Sequence, residues 1–422
     1  MIHRRLLLGL GAGLLAAPAI RARTPAQREA ALDAELARLV SGNSTPGIVV
    51  LIQQEGRSAY RRAHGTREPG GAGGPIGMGD MFRLASMTKL VTSVAALMLV
   101  EEGRIGLDDP ITRALPEFAN LRVRQADGSL TPAPRAPTIR EVMAHTAGFS
   151  YNFMNLPGIV EAYRAAGVTD GLATDFTSEE AARRLAAAPL AFAPGSSFHY
   201  SLGTDVLGWV IERVTGRPLG SVIGERIARP LGLESFMFRA PQSLAERFVP
   251  VMRPARAEIA LGLGVVPVRG IEAVPFPATR GEALLDPDRP FRPAGYHSGG
   301  AGMCGNIADY ARFLEALAQG GALEGVRILR PETLRLVTEN ATGAMPTLRG
   351  PGWGHSLAAG VLVDPAAART RLPAGSWGWG GIYGTQFWVD PANRVVGVVM
   401  TQTSILGSGI IANTVREAFY AA

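Results

Sequence analysis

Apolar residues crowd every face of residues 86–102. Leu90, Val91, Val94, Leu97 and Met98 recur at helical spacing, and Ala95, Ala96, Leu99 and Val100 fill the intervals. A helix that is apolar all round belongs in a core, and Gly103 supplies its stop. Ahead of it, Met81-Phe82-Arg83-Leu84-Ala85 reads as a short strand or extended entry. Further upstream, residues 26–40 carry a helical pattern. The run Gly47-Ile48-Val49-Val50-Leu51-Ile52 and the later Ser58-Ala59-Tyr60 flank Glu55-Gly56 and predict a hairpin. Residues 70–79 are a glycine-rich loop without the strand-then-helix context of a phosphate site.

Downstream, Leu107-Asp108-Asp109-Pro110 predicts a turn, and Thr138 opens a helix through Met143 that stops at His145-Thr146-Ala147-Gly148. Helical patterns return near 178–188, 201–215 and 307–319. Residues 239–293 are rich in Pro and Arg without sustained helical period, and read as an irregular insertion placed to line a cleft. Residues 385–389 and 394–401 are β-rich around the turn Asp390-Pro391-Ala392-Asn393, and a closing helix starts near Gly409. Strands at both ends with helices between them predict an α/β (α+β) fold with one antiparallel sheet built from both chain ends. The sheet domain is expected over 23–105 and 295–422, with a mainly helical domain inserted over 106–294.

Composition changes the picture at three points. Met1-Ile2-His3-Arg4-Arg5, the apolar stretch to Ala17 and the small residues after it have the three regions of a secretory signal peptide over 1–22, by a Sec or twin-arginine route. The stretch is too short for a permanent span, so the expected location is periplasmic or secreted. Removing residues 1–22 takes away Arg4, Arg5 and Arg21, leaving 42 − 3 = 39 basic against 36 acidic residues. With basic residues scattered singly or in pairs, no nucleic-acid partner is expected. The single cysteine, Cys304, forms no intramolecular disulfide and reads as a small buried residue.

The third point concerns one residue. Of 42 basic side chains, 41 are arginine and one is Lys89, three positions after a serine in Ser86-Met87-Thr88-Lys89. Arginine stays protonated in proteins, whereas a lysine can act as a general base. At helical spacing both side chains share a face, with backbone N–H groups and the positive end of the helix dipole beside the serine. A desolvated amine there can take the hydroxyl proton. The competing reading is a helix-capping serine beside a solvated lysine.

Two more clusters follow in order: Pro194-Gly195-Ser196-Ser197-Phe198-His199-Tyr200-Ser201-Leu202-Gly203, and Gly378-Trp379-Gly380-Gly381-Ile382. With Ser-x-x-Lys they resemble the three motifs of the serine β-lactamase and penicillin-binding-protein superfamily, in its class C and family VIII carboxylesterase branch. Leu107-Asp108-Asp109-Pro110, His145-Thr146-Ala147-Gly148 and Ser298-Gly299-Gly300-Ala301-Gly302 agree with turns between those motifs. The resemblance covers nearly all of the chain after residue 22 and implies a β-lactamase/transpeptidase-like fold. It implies that Ser86 is acylated, that Lys89 and Tyr200 share its proton, and that the backbone N–H groups of Ser86 and Ile382 form the oxyanion hole. Leu202, Trp379, Gly380 and Gly381 are then the expected substrate contacts.

The departures bear on substrate. The family's lactamases usually end the second motif in Asn and begin the third with Lys-Thr-Gly; here those positions hold Leu202 and Trp379-Gly380. Lost polar contacts favour small uncharged carboxylic esters over penicillins. A β-lactamase, a D-amino-acid peptidase, a transacylase with the same chemistry, and a catalytically silent binding or scaffold protein are the alternatives. Gly354-His355-Ser356-Leu357-Ala358 approaches a nucleophile elbow but lacks the final glycine and a following helix. His3, His64, His145, His199, His297 and His355 show no metal-ligand spacing, so neither metal nor cofactor is expected. His199 and His297 read as cleft-lining or structural.

Overall fold

The computed structural model describes residues 24–421 apart from 173–174, 257–259, 277–278 and 294; the expected signal peptide lies outside them. Seven strands make one antiparallel sheet: β1 (Gly47–Gln54), β2 (Arg57–Gly65), β3 (Trp353–His355), β4 (Gly360–Leu362), β5 (Trp377–Gly381), β6 (Thr385–Asp390) and β7 (Val395–Met400). Their order is β3-β4-β5-β6-β7-β1-β2. Strand β1 pairs with its hairpin partner β2 and with β7, where Val49 faces Met400. Both chain ends thus share one sheet.

Five helices position the site: α1 (Pro25–Ser41), α2 (Thr88–Glu101), α3 (Gly203–Thr215), α4 (Ile307–Ala318) and α5 (Ala412–Phe419). The alternation along β1 sorts them. Ile48, Val50 and Ile52 pack with Leu32, Leu36 and Leu39 of α1 and Val415 of α5 on one face. Val49 and Leu51 join the larger core with α2 and α4 on the other. Eleven of the fourteen residues of α2 are buried. Each fully buried Leu or Val contributes about 1.5–3 kcal/mol, so this helix is held firmly. It packs in turn on α3.

Two local expectations need correction. The α-helix begins at Thr88 and not at Ser86, which sits in a 3-10 turn over Ala85–Met87. Ala85 has φ of 44°, a left-handed conformation costly for a residue with a side chain. It turns the chain sharply between the short strand Phe82–Arg83 and α2, setting Ser86 on a corner. The segment 239–293 is not irregular throughout. Met252–Pro254 pairs with Val265–Pro267, and Glu272–Phe276 with Gly281–Leu285. Prolines 254, 267 and 275 within these strands hid them from pattern reading, since proline is tolerated where an outer edge needs no donor.

Candidate active site

Ser86, Lys89 and Tyr200 come together. The Tyr200 hydroxyl donates to Ser86 Oγ at 2.6 Å, and Lys89 Nζ donates to the same oxygen at 3.3 Å. Lys89 is 3% exposed, so its remaining hydrogens need partners inside the protein. They reach the Tyr151 hydroxyl and the Gly300 carbonyl oxygen, each at 2.8 Å. The ammonium also lies 4.8 Å from the centre of the Tyr200 ring and 5.2 Å from that of Tyr151, within cation–π range. Solvated-lysine and simple capping readings do not describe this arrangement: the Ser86 turn has no side-chain cap and the lysine is enclosed.

Tyr151 is the residue that sequence reasoning missed. It follows His145-Thr146-Ala147-Gly148 by three positions and stacks on Phe153, with ring centres 4.7 Å apart. Burial pushes its phenol well above the ordinary value, with the nearby Tyr200 and Asp205 acting the same way. It stays a neutral phenol that accepts from Lys89. Behind Tyr200, His145 and His355 form an aromatic wall with Trp379. Burial keeps both imidazoles neutral: His355 falls to about 4, and His145 lies well below its ordinary value. No second cation therefore crowds Lys89 from that side near neutral pH.

Strand β5 delivers the third motif. Trp379 packs against Tyr200 with ring centres 5.4 Å apart, and Thr385 Oγ1 donates to the Leu84 carbonyl at 3.1 Å, tying the next strand to the Ser86 corner. Gly381 passes so close that an added Cβ would collide with the Leu84 carbonyl oxygen and with Thr385 Oγ1. Only glycine allows that approach. Gly381→Ala is expected to lose about 2 kcal/mol or more of stability together with most turnover, measured by denaturant titration and ester assay.

A cleft of about 480 Å³ opens on this cluster. Ser86, Tyr151, Tyr200, Trp379, Gly380 and Ile382 line it, with Phe153, Leu172, Phe276 and Ala301 forming an apolar side. The insertion contributes Phe276. Asp170 is in the wall, where burial raises its carboxyl to about 6 against the opposing hydrogen bonds from Asn152. Arg349 and Arg416 occupy another part of the lining.

The family description Beta-lactamase matches residues 32–419. The chain belongs to the beta-lactamase family. Esterase EstB of Burkholderia gladioli is 40% identical over 400 residues, covering 93% of this chain and 95% of that protein. Protein Rv1367c of Mycobacterium tuberculosis is 31% identical over 78% of this chain and 79% of its own length. Among solved structures, EstCE1, described as a hydrolase with promiscuous acyltransferase activity, superposes with a TM-score of 0.82 at 31% identity. That match covers 94% of this chain and 99% of that one. These relatives place the chain among the serine hydrolases of the beta-lactamase family, on its esterase side.

Other expectations from sequence fall differently. Leu202 is 2% exposed at the start of α3, outside the cleft lining, so the expected substrate contact is not seen there. Gly381 acts through its close packing. Ser356 is fully buried and accepts from the N–H groups of Ala358 and Ala359, so the elbow reading fails. His199 pairs with Ser150 Oγ at 2.9 Å, and His297 accepts from the Gly220 N–H at 3.0 Å while stacked on Phe238. Both serve packing. Cys304 is buried in the short strand beside Phe82–Arg83, its thiol pushed up to about 12 by burial. Among the described residues, no group of three or more His, Cys, Asp and Glu could hold a metal, and no helix is long and apolar enough to cross a membrane.

Proposed function

We propose that the protein hydrolyses small, uncharged carboxylic esters through an acyl-enzyme on Ser86. The observation that carries this reading is the Tyr200 hydroxyl at 2.6 Å from Ser86 Oγ, with the buried Lys89 joined to both the serine and Tyr151. In the first half-reaction the Lys89/Tyr200 pair takes the Ser86 proton as Oγ attacks the ester carbonyl. The same pair returns a proton to the departing alcohol. Backbone N–H groups of Ser86 and Ile382, both in the cleft lining, are the proposed donors to the developing oxyanion, a contribution of several kcal/mol when two are aligned. Water then attacks the acyl-enzyme by the reverse proton path.

Phe153, Leu172, Phe276 and Ala301 offer the acyl group an apolar surface. Trp379 occupies the position at which a lactamase presents a lysine, and Leu202 is turned into the core. The name of EstB and its 40% identity support the same substrate class. Acyl transfer to an alcohol is a second outcome of one intermediate, and the description of EstCE1 favours it specifically. Arg349 and Arg416 in the cleft wall are the one feature that favours anionic acyl donors, lactams included. The export signal read from residues 1–22 supports action outside the cytoplasm.

Purified protein given p-nitrophenyl acetate, butyrate and octanoate, against a chromogenic cephalosporin, is expected to show ester kcat/KM at least about 100-fold above the lactam value. Dominant lactam turnover would overturn the ester assignment and give the two arginines the deciding role. Added alcohol that diverts product from acid to a new ester would establish acyl transfer.

A further inference from the structure

Asp205 stands in the first turn of α3, fully buried. Its Oδ1 accepts from Ser298 Oγ at 2.6 Å and the Gly300 backbone N–H helps favour its anion, while Oδ2 meets no partner of full hydrogen-bond geometry. Among the described residues no ion pair within salt-bridge distance compensates it. A carboxylate in such a place is costly unless some charge answers it.

The answering charge lies one backbone layer away. Lys89 Nζ donates to the Gly300 carbonyl at 2.8 Å. A Cβ placed on Gly300 would collide with Asp205 Oδ2 and come within 3.1 Å of the Tyr151 hydroxyl. The carboxylate, the Gly300 backbone and the Tyr151–Lys89 pair are therefore stacked with no side chain between them. Ser298, which holds Oδ1, also receives the Ala301 N–H at 3.0 Å, so the same contact shapes the turn that presents the Gly300 carbonyl. Facing this carboxylate and its neighbour Tyr151 are Lys89 from α2, Asp170 from the loop after Tyr151, Ser298 and Gly300 from the turn, and Arg289 and Tyr296 from the segment before it. Lys89 and Arg289 are the cations in that group, and Asp170 is the other acid.

We propose that Asp205 is a positioning residue for the reaction at Ser86, a buried carboxyl behind Gly300 that fixes the Gly300 carbonyl and with it where Lys89 Nζ points. The inference rests on the acyl-enzyme reading above. Burial raises the Asp205 carboxyl, and the Lys89 charge is the strongest influence pulling it back. Asp205 never touches substrate, so its effect is confined to the protonation and geometry of the base.

Turnover on the acid side requires the base to shed its proton, and the bond from Lys89 Nζ to the Gly300 carbonyl opposes that loss. Asp205→Asn keeps the shape and removes the carboxyl that fixes that carbonyl. Its kcat/KM profile is expected to reach half-maximum about one pH unit lower than wild type, with a lower plateau because the Nζ–Gly300 geometry loosens. A merely structural role lowers the plateau and leaves the acid limb in place, and that result would overturn the proposal. Ser86→Ala is run alongside. If it retains turnover, the acyl-enzyme reading falls; if it is inactive while the Asp205→Asn limb is unmoved, only the present proposal falls. Should Asp205→Asn fail to fold, Ser298→Ala carries the test. Losing the hydrogen bond that favours the carboxylate predicts a smaller shift in the same direction, and an unmoved limb again overturns the proposal.

Discussion

Ser86→Ala is expected to reduce ester turnover by about ten-thousand-fold or more, to a rate supplied by binding and the oxyanion donors alone. Ser86 is the proposed nucleophile, and its hydroxyl is the one that Lys89 and Tyr200 both contact, at 3.3 and 2.6 Å. Removing one oxygen at a half-buried corner creates little cavity, so the variant is expected to melt within a few degrees of wild type. Intact mass spectrometry after brief exposure to a slow ester or a fluorophosphonate gives the decisive reading. Wild type gains one acyl or phosphonyl adduct and Ser86→Ala gains none. Turnover that survives, or an adduct on another residue, would remove Ser86 from the mechanism.

Lys89→Arg is expected to lower kcat by about a thousand-fold with a smaller change in KM, and this loss explains why one cation escaped a composition otherwise given to arginine. Guanidinium keeps its proton across the working range and cannot serve as base. Its planar fork also cannot reproduce three bonds radiating from one nitrogen to Ser86, Tyr151 and Gly300. Charge is preserved, so a loss in Lys89→Arg isolates proton transfer and bond geometry from simple electrostatics. Because Lys89 is enclosed, the larger side chain also strains its surroundings by about 1–3 kcal/mol, and the melting temperature must be measured beside kcat. A folded variant that retains more than about a tenth of wild-type kcat would show that Nζ is not the base.

The pair Asp205 and Tyr151 shows how the site exceeds its motifs. Neither belongs to the three clusters that identify the chemistry, yet one meets Lys89 directly and the other lies behind Gly300. Leu202 shows the converse. Its motif position made it a substrate contact by analogy, but the start of α3 turns it into the core. A motif position fixes where the backbone runs; which way a side chain faces depends on what packs against it.

Much was legible from residue order alone. Periodicity located α1, α2, α4 and the β1–β2 hairpin, because each is long enough for one face to be consistently apolar. Strands at both ends foretold a shared sheet, and a single lysine after a serine pointed to a candidate base. The prolines in 239–293 concealed two hairpins whose pairing is local and edge-tolerant. The left-handed Ala85 was invisible because no composition marks a strained non-glycine residue; it is held by the strand before it and the buried helix after it. By itself, then, the sequence determined most of the elements and the order of the motifs, which depend on near neighbours in the chain, and it named Ser86, Lys89 and Tyr200 as the candidates for nucleophile and base. Only the tertiary structure decided that Tyr151 meets Lys89, that Gly381 must lack a side chain, and that Asp205 stands behind the site. Those contacts join residues from 62 to 297 positions apart, and packing, not local pattern, chooses them.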